Sequence, residues 1–226
     1  MDRQKILVIR FGNELRHDEL PLFRGAVIDA TKGSNVLFHN HIDDGFRYSY
    51  PLIQYKRIGG CAALVCIGDG TEAIGEFFSN ANFDVSLAGR NVHLEVVNVD
   101  ARQFIMQCWD DMFEYSLRKW MPLNQENYTQ YMALDTLVDR TKMLESLLTA
   151  NIISMAKGLG ISLEKQVLVS LTSIEGERKY KYKGIKMQCF DVEFKCNVSL
   201  PDFVGLGKGV SLGFGMVTMK KGNVNK

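Results

Sequence analysis

Five of the chain's 20 glycines fall within eleven residues, Gly205-Leu-Gly-Lys-Gly-Val-Ser-Leu-Gly-Phe-Gly215. No other stretch restricts the fold as much. Without Cβ atoms a backbone reaches positive φ and admits another backbone at close range. Successive N–H groups of Gly205, Gly207, Gly209, Gly213 and Gly215 can form a concave anion site, to which Lys208 adds a full positive charge. The same residues also read as a tight glycine hairpin between two final strands. The phosphate loop of NTPases does not fit, because Gly209 and not Ser or Thr follows Lys208. The dinucleotide pattern G-x-G-x-x-G cannot be laid on these glycines, and only about ten residues follow, too few for a crossover helix and strand.

Charge concentrates in the same region. The formal net charge is +1, but residues 165–226 hold 11 Lys/Arg against 5 Asp/Glu, and residues 1–164 hold 16 against 21. Much of the excess is the run Arg178-Lys-Tyr-Lys-Tyr-Lys183. In a strand its alternation places Arg178, Tyr180 and Tyr182 on one face and Lys179, Lys181 and Lys183 on the other. Lysines offer phosphate contacts and tyrosines offer stacking, the two devices that hold single-stranded nucleic acid. A solvated hairpin whose lysines only discourage edge aggregation is the plainer reading.

The apolar runs are too short to cross a bilayer, and the N-terminus does not read as a signal peptide. Cys61, Cys66, Cys108, Cys189 and Cys196 are scattered through apolar segments with no C-x-x-C, so neither a disulfide framework nor a zinc site is expected. The expected setting is therefore the reduced cytoplasm, with no metal and no cofactor. Gly68-Asp-Gly-Thr-Glu-Ala73 matches the loose fingerprint G-x-G-x-x-A, which leaves a nucleotide-dependent enzyme as a distant alternative.

Periodicity divides the chain into two similar halves. In the first, strands are expected at Lys5–Phe11, Val36–His41, Tyr50–Lys56, Ala62–Ile67 and Val92–Val99. Helices are expected at Leu20–Lys32 and Thr71–Asn80, with Phe104–Trp120 also open to a helical reading. In the second, a long helix or helix pair over Glu126–Leu159 precedes a strand at Gln166–Thr172, a hairpin of Arg178–Lys183 with Gly184–Met187, and strands at Phe190–Val198 and Gly215–Met219. Each half has the content of a βαββαβ ferredoxin-like unit, an α+β fold, and the break at Pro122 places the domains at 1–122 and 123–226.

Leu200-Pro-Asp-Phe-Val-Gly-Leu-Gly-Lys-Gly-Val-Ser-Leu-Gly-Phe-Gly-Met-Val217 resembles the C-terminal glycine signature of the RAMP superfamily. The closest resemblance is to the repeat-specific endoribonucleases that cut precursor CRISPR RNA, the sixth of the numbered CRISPR-associated (Cas) proteins. Leu147–Ile161 resembles the family's helix before the first strand of the C-terminal half, and Arg47–Gly70 resembles the segment in which a Tyr-Pro pair leads into a strand. The resemblance implies two tandem ferredoxin-like (RRM-like) domains side by side. It also implies CRISPR repeat RNA as partner, and admits an effector complex or a second copy of the chain. Its activity would be that of an endoribonuclease, with a catalytically silent repeat-binding homologue as the alternative.

In relatives the chemistry belongs to histidine just upstream of the Tyr-Pro segment. His39 and His41, in Phe38-His-Asn-His-Ile42, occupy that place. Histidine titrates near neutrality and serves as acid or base. On extended backbone, residues two apart point the same way, so the pair can flank one scissile phosphate. Tyr48 or Tyr50 could orient the hydroxyl or phosphate, or simply pack, and Lys56 with Arg57 reads as a further backbone contact. His17 and His93 read as structural or surface residues.

Overall fold

A computed structural model describes residues 3–31, 41–42, 45–46, 50–80, 83–182 and 184–220. The chain divides into two compact units, Met1–Ile105 with Ser211–Gly213, and Met106–Val210 with Phe214–Lys226.

The first unit runs β1 (Gln4–Glu14), α1 (Leu20–Ala30), β2 (His41–Ile42), β3 (Gly45–Phe46), β4 (Ile53–Ile58), β5 (Cys61–Ile67), α2 (Gly70–Asn80), β6 (Asp84–Leu87), β7 (Arg90–His93) and β8 (Val96–Phe104). Its four-stranded sheet has the order β4-β5-β1-β8 with every neighbour antiparallel, the ferredoxin-like arrangement. β1 is an inner strand and is buried on both faces, with Ile6 and Val8 on one and Ile9 and Phe11 on the other. Phe23, Ala26 and Val27 on α1, with Ala73, Ile74 and Phe77 on α2, recur at helical spacing and close over Ile9, Phe11, Leu64 and Cys66. Pro21 sits in the first turn of α1, where its missing N–H costs nothing.

The second unit runs β9 (Cys108–Trp120), α3 (Gln125–Ala133), α4 (Leu137–Gly158), β10 (Val169–Tyr182), β11 (Ile185–Val198) and β12 (Met216–Met219). The sheet order is β10-β11-β9-β12, again antiparallel throughout. Asn124 and Thr136 cap α3 and α4 by accepting the N–H groups of Asn127 and Asp139. Leu144, Leu148, Ile152 and Met155 form the buried stripe of α4. Asn151 of the same helix accepts the Trp120 indole N–H at 2.9 Å. Both helices lie in the first crossover. The second crossover, between β11 and β12, is the glycine loop with a single 3-10 turn at Val210–Leu212 in place of a helix. No helix among the described residues is long and apolar enough to cross a membrane.

The segment read as open to a helical form, Phe104–Trp120, is instead the end of β8 and all of β9. β9 is the central strand of its sheet, pairing with β11 and β12, so the units part at Ile105/Met106 and not at Pro122. The expected Val92–Val99 strand is split by Leu94-Glu95 into β7 and β8, whereas the segments expected at Gln166–Thr172 and Arg178–Lys183 join in β10, and those at Gly184–Met187 and Phe190–Val198 join in β11.

At Gly215 φ is +63°, and a Cβ would fall onto the carbonyl oxygen of Leu206, with the Leu206 carbonyl carbon at 2.9 Å. Gly215→Ala is expected to lower unfolding stability by about 3 kcal/mol or more, through clash and backbone strain together. Gly75, exposed within α2 and with nothing near its Cβ position, is the counterpart. Gly75→Ala should raise stability by about 0.5–1 kcal/mol. Urea unfolding of the two variants checks both signs.

Lys56 on β4 is entirely buried, and burial brings its ammonium pKa down to about 7. The unfolded chain keeps Lys56 protonated up to its ordinary value near ~10.4. Stability therefore rises with pH between these values, and the full cost of burying the cation is present below about 7. Lys56→Met is expected to raise the melting temperature most at pH 6, with the gain shrinking by pH 10. A gain independent of pH would contradict the burial effect.

Candidate nucleic-acid interface

The glycine loop is built against the end of β9. Lys208 N–H donates to the Met121 carbonyl at 3.1 Å, and Gly215 N–H donates to the Lys119 carbonyl at 3.0 Å. Leu206 N–H donates to the Gly215 carbonyl at 2.8 Å, beside a bridge between Gly205 and Met216. Gly207, at φ +87°, leaves no room for a side chain: a Cβ would stand 2.9 Å from both the Met121 oxygen and the Trp120 ring. Gly213 belongs with the first unit, beside Leu20. The amides of Leu206, Lys208, Phe214 and Gly215 are thus engaged by the protein's own carbonyls. Those of Gly207 and Gly209 make no hydrogen bond among the described residues, and between them stands the exposed Lys208. This is a narrower anion site than five glycines suggest.

The β10–β11 hairpin supplies the remaining charge. Its register sets Arg178 opposite Cys189, Lys179 opposite Gln188 and Lys181 opposite Lys186. Arg178, Lys179 and Lys181 are exposed, whereas Tyr180 and Tyr182 are half-buried. The tyrosines meet Phe214 of the loop edge-on, with centroids 6.2 and 5.7 Å apart. They fasten the hairpin to the loop as well as offering surface for stacking. Lys183 lies outside the described residues.

Four other cations of this unit have carboxylate partners, Lys165 with Asp110, Lys195 with Glu114, Lys220 with Glu193 and Arg118 with Glu175, whereas Arg140, Lys142 and Lys157 on α4 have no ion pair among the described residues. Lys165 holds the Asp110 carboxyl, and Lys195 the Glu114 carboxyl, below the ordinary carboxylate range. Arg178, Lys179, Lys181, Lys186 and Lys208 have no ion pair among the described residues, and they cluster on the hairpin and the loop. Lys186 carries no distinguishing signal in the sequence. It comes two residues after Gly184, just beyond the basic run, and only the register shows it facing Lys181.

In the first unit, His39 and Tyr48 lie outside the described residues. The backbone of His41 opens β2 opposite Phe46 on β3. Tyr50 is half-buried ahead of β4. Lys56, expected as an RNA backbone contact, is closed off from solvent, and the Arg57 Nε–H is taken up by the Leu15 carbonyl at 2.5 Å. His17 is exposed, and so is His93, whose Nδ1 lies 2.8 Å from Asp84. The Gly68–Ala73 turn joins β5, antiparallel to both its neighbours, to α2. A dinucleotide site needs a parallel crossover there. Gly70 is accounted for by packing, since a Cβ would stand 2.5 Å from the Leu52 oxygen. Among the described residues, no three His, Cys, Asp or Glu side chains meet at metal-binding distance.

The sequence matches the Cas6b N-terminal domain over residues 3–105 and the Cas6b C-terminal domain over residues 107–220. A crystal structure of Cas6b is 28% identical with a TM-score of 0.88, covering 97% of this chain and 100% of that one. A crystal structure of the CRISPR RNA processing endoribonuclease Cas6b is 26% identical with a TM-score of 0.74 over the same shares. An uncharacterised protein of Methanocaldococcus jannaschii is 37% identical over 109 residues, 48% of this chain and 73% of that protein. Two ferredoxin-like units, the glycine loop and the domain matches agree in order and extent, and the chain belongs to the Cas6b family of CRISPR RNA processing endoribonucleases.

Proposed function

We propose that this chain cuts precursor CRISPR RNA within its repeats by a metal-independent reaction in which His39 and His41 carry the protons. The observation that carries this reading is the pair of Cas6b domain matches, which together span residues 3–220 in order. The unpaired cations of Arg178, Lys179, Lys181, Lys186 and Lys208 supply the countercharge an RNA backbone needs. Gly207 and Gly209 add two amides to the contact, while Gly205, Gly213 and Gly215 shape the loop.

In the proposed step the ribose 2′-oxygen attacks the adjacent phosphorus as one histidine takes its proton. The bond from phosphorus to the leaving 5′-oxygen breaks, and the other histidine protonates that oxygen. The products are a 5′-hydroxyl fragment and a 2′,3′-cyclic phosphate, which water can open to a linear phosphate. One histidine must start neutral and the other charged, which favours a bell-shaped pH profile near neutrality. Placement of the hydroxyl in line with the leaving group lowers the barrier further.

His39→Ala together with His41→Ala is expected to reduce cleavage of repeat RNA on the order of 10⁴-fold or more while leaving its binding largely intact. Unchanged cutting by the double variant would sink the assignment. A 2′-deoxy nucleotide before the cut should block the reaction in the unaltered protein, and EDTA should leave it active. Repeat RNA that is bound but never cut would mark a catalytically silent homologue.

A further inference from the structure

β9 carries a bulge where it meets the loop. Trp120 faces Phe190 and Leu117 faces Val192, so three steps along β9 match two along β11. Lys119 sits in the extra step with φ +52°. That conformation presses Cβ against the following carbonyl and suits glycine, asparagine or aspartate better than lysine. Lys119 is held there from both sides: its N–H donates to Asp191 Oδ1 at 2.7 Å, and its carbonyl accepts the Gly215 N–H at 3.0 Å. Bulges re-aim side chains, and strained non-glycine residues gather at ligand clamps. Here the Lys119 Nζ stands 5.1 Å from the centroid of the Tyr180 ring, which itself meets Phe214 edge-on at 6.2 Å. The half-buried lysine is thus aimed at the aromatic junction between hairpin and loop, two residues before the carbonyl that anchors Lys208.

Resting on the RNA-processing reading above, we infer that Lys119 is a further RNA contact. Its ammonium meets a backbone phosphate that crosses the Tyr180–Phe214 pair beside Lys208. The bulge fixes the cation before RNA arrives, so little side-chain freedom is lost on binding.

The test compares the full-length protein with Lys119→Gly and Lys119→Arg, using RNA of the organism's CRISPR repeat as probe. Glycine suits the left-handed backbone, so Lys119→Gly should melt at or above the unaltered protein. It should bind the RNA about tenfold more weakly, the worth of one charge-assisted contact. The slope of log affinity against log salt should fall by about 0.7, one phosphate contact to a single strand. Lys119→Arg should stay within about twofold of the unaltered protein and keep its salt slope, because the charge that neutralises the phosphate is kept. Unchanged affinity and salt slope in Lys119→Gly would overturn this inference alone. So would a loss of binding that accompanies a lowered melting temperature and is not rescued by arginine. Failure of the unaltered protein to bind the repeat RNA would overturn the functional reading, and this inference with it.

Discussion

The close approach of the glycine loop to Lys119, Trp120 and Met121 governs the second unit. A ferredoxin-like sheet needs a crossover between its third and fourth strands, ordinarily a helix that satisfies its own backbone. Here that crossover is a loop, and its N–H groups find partners on the end of β9 and within the loop itself. At two positions the neighbouring backbone also stands where a Cβ would be. Gly207 beneath Trp120 and Gly215 beneath Leu206 are therefore demanded by packing before any ligand is considered. The amides of Gly207 and Gly209, which flank Lys208, are left for a ligand.

The pattern of ion pairs separates structure from interaction in the same unit. Arg118, Lys165, Lys195 and Lys220 are matched by carboxylates, whereas the described cations at the hairpin tip and on the loop are not. Exposed pairs of the first kind contribute little to stability, because water screens them. Their effect is to cancel charge locally, which leaves the hairpin and the loop as one group of cations without ion pairs. The aromatic contacts of Tyr180 and Tyr182 with Phe214 keep hairpin and loop together there.

Much of this is legible in the sequence because it rests on local rules. Alternation in the Arg178–Lys183 run implies exposed lysines and half-buried tyrosines, and the leucine spacing of α4 implies its buried stripe. β9 is illegible for a physical reason. Residues 109–114 are mostly exposed, so no apolar alternation marks them as strand, and the bulge at Lys119 shifts the phase of the residues beyond it. The expected domain boundary is displaced with it. Lys56 escapes because a lysine in an apolar strand normally reaches solvent, and only tertiary packing closes over it. Lys119 carries no sequence signal at all, since its conformation is imposed by Asp191 and Gly215, distant along the chain.

Lys181 and Lys186 face each other across the hairpin tip, in a register that places like charges side by side. Such a pair is a compressed electrostatic spring. Its repulsion is carried by the folded protein and slackens when an anion bridges both ammonium groups. The release adds to whatever attraction the anion itself enjoys, so part of the grip at this tip comes from repulsion relieved between the two lysines. Simple salt draws on the same reserve, which makes the hairpin tip stiffen and its hold on a polyanion weaken together as ionic strength rises.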